Sequence, residues 1–132
     1  MSGTREIETL IRNQQWQLAQ DKGDALIEQG HASSVCPVLA RAAMTRRDEK
    51  ALIKYLDLWL EHNPTEPAAL ELRIKIHLRD KEKEAAARRY ALAASQTKCS
   101  SDLWFNAAYY MRQAGGYEQA LQWYQKALDE EV

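Results

Sequence analysis

The residues of this sequence that could do chemistry do not have the spacing that catalysis requires. A serine or cysteine nucleophile motif, an HExxH zinc motif and a P-loop are all missing from its 132 residues. The pair Gly115-Gly116 has the composition of a phosphate-binding turn, but no strand pattern precedes it and no Gly-Lys-Ser/Thr segment follows it. The pair therefore indicates a turn between two helices. We expect no catalytic residue and a protein that is not an enzyme.

Histidine, cysteine and carboxylate residues are also too dispersed to predict a metal or cofactor site. His31, His62 and His77 fall on different predicted hairpins, so metal ligation is not expected. Carboxylate pairs lie in charged runs, which are typical of a solvated helix face. Cys36 occupies an apolar position near a helix start and predicts core packing rather than a reactive thiol. The sequence thus predicts neither a metal nor a cofactor.

Composition indicates a protein that binds neither nucleic acid nor a membrane. Lys and Arg number 18 against 19 Asp and Glu, a net charge of -1 that lacks the basic excess of a nucleic-acid binder. No window approaches the roughly 18 consecutive apolar residues of a membrane span, and the N-terminal segment lacks the apolar stretch of a secretion signal. The two cysteines form no CxxC pair, which fits a reduced compartment. We therefore expect a cytoplasmic location.

Helix-forming residues dominate the chain and predict an all-α fold. Only 3 prolines and 5 glycines interrupt a sequence rich in Ala, Leu, Glu, Gln, Lys and Arg. Turn signals such as Gly30, His62-Asn63-Pro64 and Gly115-Gly116 divide it into short helices. We expect about eight helices of roughly 11 to 16 residues, joined by tight turns into successive antiparallel hairpins.

Residues about 34 positions apart have matching types along most of the chain. The matched positions are Trp104 with Leu70, Ala120 with Ala86, Tyr124 with Tyr90, and Ala127 with Ala93. The positions another 34 residues earlier are also apolar, namely Cys36, Leu52, Leu56 and Trp59. Four such repeats account for the whole sequence, at approximately residues 1–32, 33–66, 67–100 and 101–132.

The last of these repeats resembles the tetratricopeptide repeat family, whose unit is a helix-turn-helix of about 34 residues. The matching packing positions are Trp104, Ala107, Ala108, Met111, Gly115, Tyr117, Ala120, Tyr124 and Ala127. The earlier repeats depart from the pattern, since Lys81 stands where the family prefers glycine and Gly23 lies in the middle of a helix. The resemblance implies a single domain, residues 1–132, in which about four hairpins form a right-handed superhelix.

In tetratricopeptide proteins the first helix of each hairpin lines a concave groove, and the resemblance implies that the same positions bind a partner here. These positions are Arg5, Glu8, Arg12, Arg41, Thr45, Glu71, Lys75, Arg79, Asn106, Tyr109 and Arg112. Arginine side chains suit the carboxylates and carbonyls of a peptide, and Tyr109 would add an aromatic contact. The alternative is that these residues form only a solvated helix face.

The resemblance implies a non-enzymatic adaptor that binds a peptide or helix of a partner protein, similar to small bacterial adaptors and secretion chaperones of the family. A clamp for a C-terminal carboxylate is not expected, because the lysine and asparagine pattern that would accompany Asn106 is absent. The alternative function is a self-associating module. Leu121, Trp123 and Leu128 of the last helix would be left partly uncovered and could join two copies as a homodimer.

Overall fold

Eight helices account for most of residues 3–131, the part of the chain that the computed structural model describes. They are α1 (Gly3–Arg12), α2 (Trp16–Glu28), α3 (Ala32–Arg46), α4 (Glu49–His62), α5 (Pro67–Arg79), α6 (Lys83–Ser95), α7 (Ser101–Gln113) and α8 (Tyr117–Glu131). No strand occurs within these residues. The prediction of an all-α fold is confirmed, and the short helices are compatible with a helical hairpin repeat. The right-handed superhelix and the single domain stay predictions.

Several helices are followed by a residue in the left-handed backbone conformation. Gly30 after α2 and Gly115 after α7 have φ angles of 96° and 94°, a conformation that glycine adopts without a steric penalty. Gly115 therefore forms the turn between α7 and α8, as the sequence predicted. Gln14, Arg47 and Lys81 take the left-handed conformation after α1, α3 and α5 although they carry side chains, with φ angles of 63°, 60° and 62°.

The chain divides into two compact units, an N-terminal unit up to Asn63 and a C-terminal unit from Pro64. In the N-terminal unit, α1 packs on α2 and α3, α2 packs on α3, and α3 packs on α4. Gly23 lets α2 approach α3 closely, because a Cβ atom there would contact Leu39 Cδ1 and lie 3.3 Å from Val35 Cγ1. The glycine in the middle of α2, which departs from the tetratricopeptide pattern, is therefore explained by the close packing of α2 on α3.

A partly buried hydrogen bond links α2 to α4 in the N-terminal unit. Tyr55 of α4 is fully buried, and its hydroxyl donates a bond of 2.8 Å to Oδ1 of Asp24 on α2. Oδ2 of Asp24 accepts a bond of 2.8 Å from Nζ of Lys54. Burial, and then the neighbouring Asp24, raise the pKa of Tyr55, so its hydroxyl keeps the proton that it donates.

The core of the C-terminal unit combines alanines with aromatic rings. There, α5 packs on α6, α6 packs on α7, and α7 packs on α8. The Trp104 and Trp123 rings lie between α7 and α8, with centroids 6.4 Å apart, and Tyr90 of α6 stacks on Tyr110 of α7 at 6.0 Å. The buried alanines around them are Ala87, Ala91, Ala94, Ala107, Ala108, Ala120 and Ala127. These small residues let the helices approach, and the rings fill the remaining space.

Candidate functional site

A pocket with a volume of about 310 Å³ lies between α1 and α3 of the N-terminal unit. It is lined by Glu8, Ile11, Gln14, Val38, Arg41, Ala42, Thr45 and Arg46. Ile11, Val38 and Ala42 supply the apolar part of the lining, and the other five residues are polar or charged. A pocket of this size and chemistry can hold an apolar group while polar groups around it fix the orientation of the ligand.

Three positions that the resemblance implies for a groove lie together in this pocket, namely Glu8, Arg41 and Thr45. Arg41 and Thr45 are four residues apart, so they share one face of α3. The hydroxyl of Thr45 donates a bond of 3.1 Å to the backbone carbonyl of Arg41, which holds that hydroxyl against its own helix. Arg5 and Arg12 are exposed on α1 at helical spacing from Glu8, but they do not line the pocket.

Arg46, which sequence reasoning missed, is held at the pocket by two contacts. Its Nη1 donates a bond of 3.2 Å to Oε1 of Gln14, and its guanidinium lies 5.4 Å from the centroid of the Trp16 ring. Nε1 of Trp16 donates a bond of 2.9 Å to Asp48, which also accepts a bond from the backbone N–H of Ala51 and so caps α4. The Trp16 bond, and then the Ala51 bond, lower the pKa of Asp48.

The pocket lining carries more positive than negative charge. Arg41 and Arg46 line it against the carboxylate of Glu8, and Arg5 and Arg12 add two further cations on α1. A guanidinium group presents a fork of N–H donors that fits a carboxylate better than a lysine ammonium does. The pocket therefore favours an apolar group that is accompanied by an acidic or carbonyl-rich segment.

Three predicted groove residues, Glu71, Lys75 and Arg79, lie on α5 in the C-terminal unit, and Glu71 is exposed. Arg79 donates from Nε and Nη2 to the two carboxylate oxygens of Asp80, at 2.9 and 3.2 Å. This pairing lowers the pKa of Asp80. Lys75 is exposed. A ligand on this part of α5 would meet the Lys75 ammonium first, since the Arg79 fork already has a partner.

Three more predicted groove residues lie on α7 of the C-terminal unit. The guanidinium of Arg112 lies 6.0 Å from the centroid of the Tyr109 ring, and Tyr109 packs edge-on against Tyr110 with centroids 5.1 Å apart. Asn106 is half-buried on the same helix. Arg112 and Tyr109 thus form a cation–aromatic pair on the surface of α7.

The expected association surface on α8 needs one correction. Leu121 and Leu128 are 71% and 57% exposed, but Trp123 is only 7% exposed. The expectation that Trp123 is uncovered is therefore wrong, because its ring packs against Trp104 inside the hairpin. Phe105 of α7, which the sequence reasoning passed over, is 53% exposed and extends the apolar surface.

Cys36 packs in the core, as the sequence predicted. The side chain is fully buried in α3, and burial, followed by the charge of Asp24, raises its pKa to about 11. A thiol with this pKa stays protonated near neutral pH and is a poor nucleophile. Among residues 3–131, no cluster of three or more His, Cys, Asp or Glu side chains could hold a metal ion.

No helix within residues 3–131 has the length and apolar content needed to cross a membrane. No family model matches this sequence, and no curated protein is similar to it. Fold and site together define an all-α protein of helical hairpins with a partly cationic pocket. The resemblance to tetratricopeptide repeats stays a prediction.

Proposed function

We propose that this chain is a non-enzymatic adaptor that binds a short segment of a partner protein between α1 and α3. The observation that carries the proposal is the pocket in which Ile11, Val38 and Ala42 lie beside Arg41 and Arg46. Apolar surface next to oriented guanidinium groups suits a peptide with one apolar anchor and adjacent carboxylates. Resemblance to the tetratricopeptide family supports the same reading, because its members bind peptides on the equivalent helices.

The tetratricopeptide resemblance also supports contacts between a partner protein and Lys75, Asn106 and the pair of Tyr109 with Arg112 in the C-terminal unit. We propose a cytoplasmic adaptor, similar to the small bacterial adaptors and secretion chaperones of that family. Affinity would come from the apolar anchor, while the arginines would select for acidic neighbours.

A pull-down of native partner proteins with a charge-reversed variant tests this proposal. The variant Arg41→Glu/Lys75→Glu/Arg112→Glu should lose the partners that the wild-type chain retains in a pull-down. A matched control, Lys50→Glu/Arg88→Glu/Lys98→Glu, makes the same change in net charge at exposed positions outside the proposed groove. The control should retain those partners. Equal capture by the wild-type chain and the groove variant would contradict the proposal.

The second candidate function is self-association through α8. The exposure of Leu121 and Leu128, at 71% and 57%, favours it, since large exposed apolar side chains mark interaction surfaces when they are contiguous. Static light scattering over a wide concentration range would then give a mass that rises toward twice the value of 15.2 kDa. A constant monomer mass would exclude this function.

A further inference from the structure

Two helices of the C-terminal unit carry equivalent faces, of which one is covered and the other is exposed. The helices α6 and α8 are related by the repeat of about 34 residues. The equivalent positions are Ala87 and Leu121, Tyr90 and Tyr124, Ala91 and Gln125, and Ala94 and Leu128. The α6 members belong to the core that α6 forms with α7, whereas Leu121 and Leu128 are mostly exposed. On α6 this face is covered by α7, whereas the equivalent face of α8 is exposed to solvent.

The covered face shows how this fold docks a helix. Ala87 and Ala94 of α6 are 0% and 2% exposed, and the Tyr90 ring lies parallel to the Tyr110 ring of α7, with an interplanar angle of 4°. Small side chains on α6 leave room for large side chains on α7. On α8 the two alanines are replaced by leucines. A helix that docks on α8 must therefore place small side chains opposite these leucines.

The open face extends beyond the two leucines. We define the α8 face by five side chains, namely Phe105, Tyr117, Leu121, Tyr124 and Leu128. Phe105 packs edge-on against Tyr124 with ring centroids 5.4 Å apart, which joins α7 to the stripe on α8. Tyr117 is 70% exposed at the start of α8. Contiguous apolar side chains of this kind indicate a docking surface, whereas single exposed leucines do not.

Carboxylates lie at both ends of the α8 face. Glu118 is three residues before Leu121, and Glu131 is three residues after Leu128, so both share the side of α8 that carries the leucines. Glu118 and Glu131 are exposed, as is Asp129. A docked helix with Lys or Arg near its two ends would complement these charges.

A second copy of this chain fits the α8 face less well. If two copies of α8 packed antiparallel about the midpoint of the stripe, Leu121 of one copy would meet Leu128 of the other. The same arrangement would bring Glu118 of one copy to Glu131 of the other. Parallel packing would place each carboxylate beside its own counterpart. Like charges therefore oppose both arrangements.

We infer that the α8 face docks an amphipathic helix of a partner protein, with small side chains opposite the leucines and basic residues near both ends. The apolar stripe would supply affinity, and the acidic ends would select the partner and set its position along α8. This surface lies wholly in the C-terminal unit, and the inference does not depend on the pocket between α1 and α3.

The test uses the full chain and two synthetic helical peptides of about 18 residues, or five turns. Both peptides carry the same stripe of Ala and Leu, but one has lysines near its ends and the other has glutamates. Fluorescence anisotropy should show saturable binding of the lysine peptide and at least about tenfold weaker binding of the glutamate peptide. Glu118→Lys/Glu131→Lys should reverse this preference.

Two leucine variants make the test specific to the α8 face. Leu121→Glu should abolish binding of the lysine peptide, whereas Leu92→Glu on α6, where Leu92 is 49% exposed, should leave it unchanged. Circular dichroism verifies that each variant keeps the helix content of the wild-type chain. No saturable binding, equal binding of both peptides, or unchanged affinity of Leu121→Glu would each overturn the inference. A dimer in light scattering that Leu121→Glu dissociates would assign the face to a second copy and overturn it as well.

Discussion

Arg89 of α6 donates a hydrogen bond of 2.9 Å from Nε to Nε2 of His77 on α5. Because Nε2 accepts this bond, the imidazole of His77 is neutral and carries its proton on Nδ1, which donates to Oε1 of Glu82 at 2.8 Å. His77 is only 5% exposed. Burial lowers its pKa, as do the charges of Arg73 and Arg89, while the bond to Glu82 opposes the shift.

This arrangement predicts that acid destabilises the contact between α5 and α6. The folded state binds the proton of His77 less readily than the unfolded state, in which the pKa is near 6.5. Stability should therefore be fully present above that pH and should fall as the pH drops below it. Urea unfolding at pH 7.5 and 5.5 would measure the loss, with these pH values roughly one unit on either side of the reference pKa.

Two histidine variants separate this effect from general acid destabilisation. His77→Gln should have a lower free energy of unfolding at neutral pH but a smaller loss between the two pH values. His31→Gln, at an exposed histidine, should keep the pH dependence of the wild-type chain. The same pH dependence in His77→Gln and the wild-type chain would contradict the assignment.

Gly23 is predicted to resist substitution by alanine although it lies in a helix. Alanine stabilises an exposed helix position by about 1 kcal/mol relative to glycine. At this position, however, the new Cβ atom would contact Leu39 Cδ1 and crowd Val35 Cγ1 at 3.3 Å. We expect Gly23→Ala to lower the free energy of unfolding by about 1–3 kcal/mol through overpacking, measured by urea denaturation.

A double-mutant cycle identifies the partner of that clash. Leu39→Ala removes the atoms that the new Cβ would meet, so Gly23→Ala should be neutral or stabilising in the Leu39→Ala chain. If Gly23→Ala stabilises the chain that retains Leu39, the close approach of α2 to α3 is wrong.

The number and order of the helices could be predicted because their signals are local. Gly30 and Gly115 take the left-handed conformation at the ends of α2 and α7, and Pro67 begins α5, where proline loses no intrahelical hydrogen bond. Each of these features depends on one residue and its immediate neighbours. Sequence reasoning was therefore reliable for the fold class and for the places where helices end.

The side chains that meet in the pocket depend on packing and could be predicted only in part. Glu8 and Arg41 were expected at a groove, but the approach of Gln14 to Arg46 requires α1 and α3 to pack at a particular angle and register. A sequence pattern for each helix does not fix that register. The resemblance to the tetratricopeptide family implied the face, whereas the side chains that meet in the pocket could be identified only from the structure.

The burial of Trp123 could have been found from helical spacing. Trp123 lies three residues after Ala120 and four residues before Ala127, which are both buried at repeat packing positions. This spacing places it on the same face as the two alanines.

Lys81 takes a left-handed conformation that glycine would adopt with less strain, so Lys81→Gly should stabilise the protein. Its φ angle is 62°, and the backbone N–H of Glu82 donates a bond of 2.8 Å to the carbonyl of His77 as the turn closes. Relief of the left-handed strain outweighs the extra entropy that glycine gives the unfolded chain, for a net gain of about 0.5–1 kcal/mol. Thermal denaturation would record it as a higher midpoint.

The matched control is a glycine at an exposed helical position. Arg88→Gly in the middle of α6 should lower the free energy of unfolding by about 1 kcal/mol, because glycine gains nothing from a right-handed conformation. Loss of stability in Lys81→Gly, similar to that in Arg88→Gly, would show that the lysine side chain supports the turn.

Substitutions of Trp123 and Leu121 by alanine should differ sharply, although the two residues are close neighbours on α8. Trp123 is 7% exposed and its ring lies 6.4 Å from that of Trp104, so Trp123→Ala should cost about 3–5 kcal/mol through lost burial and an unfilled cavity. Leu121 is 71% exposed, and Leu121→Ala should change the free energy of unfolding by less than about 0.5 kcal/mol. Urea denaturation of dilute protein, monitored by circular dichroism, compares them without a contribution from self-association. Similar losses in the two variants would mean that α8 is rotated about its axis, with Leu121 turned toward α7.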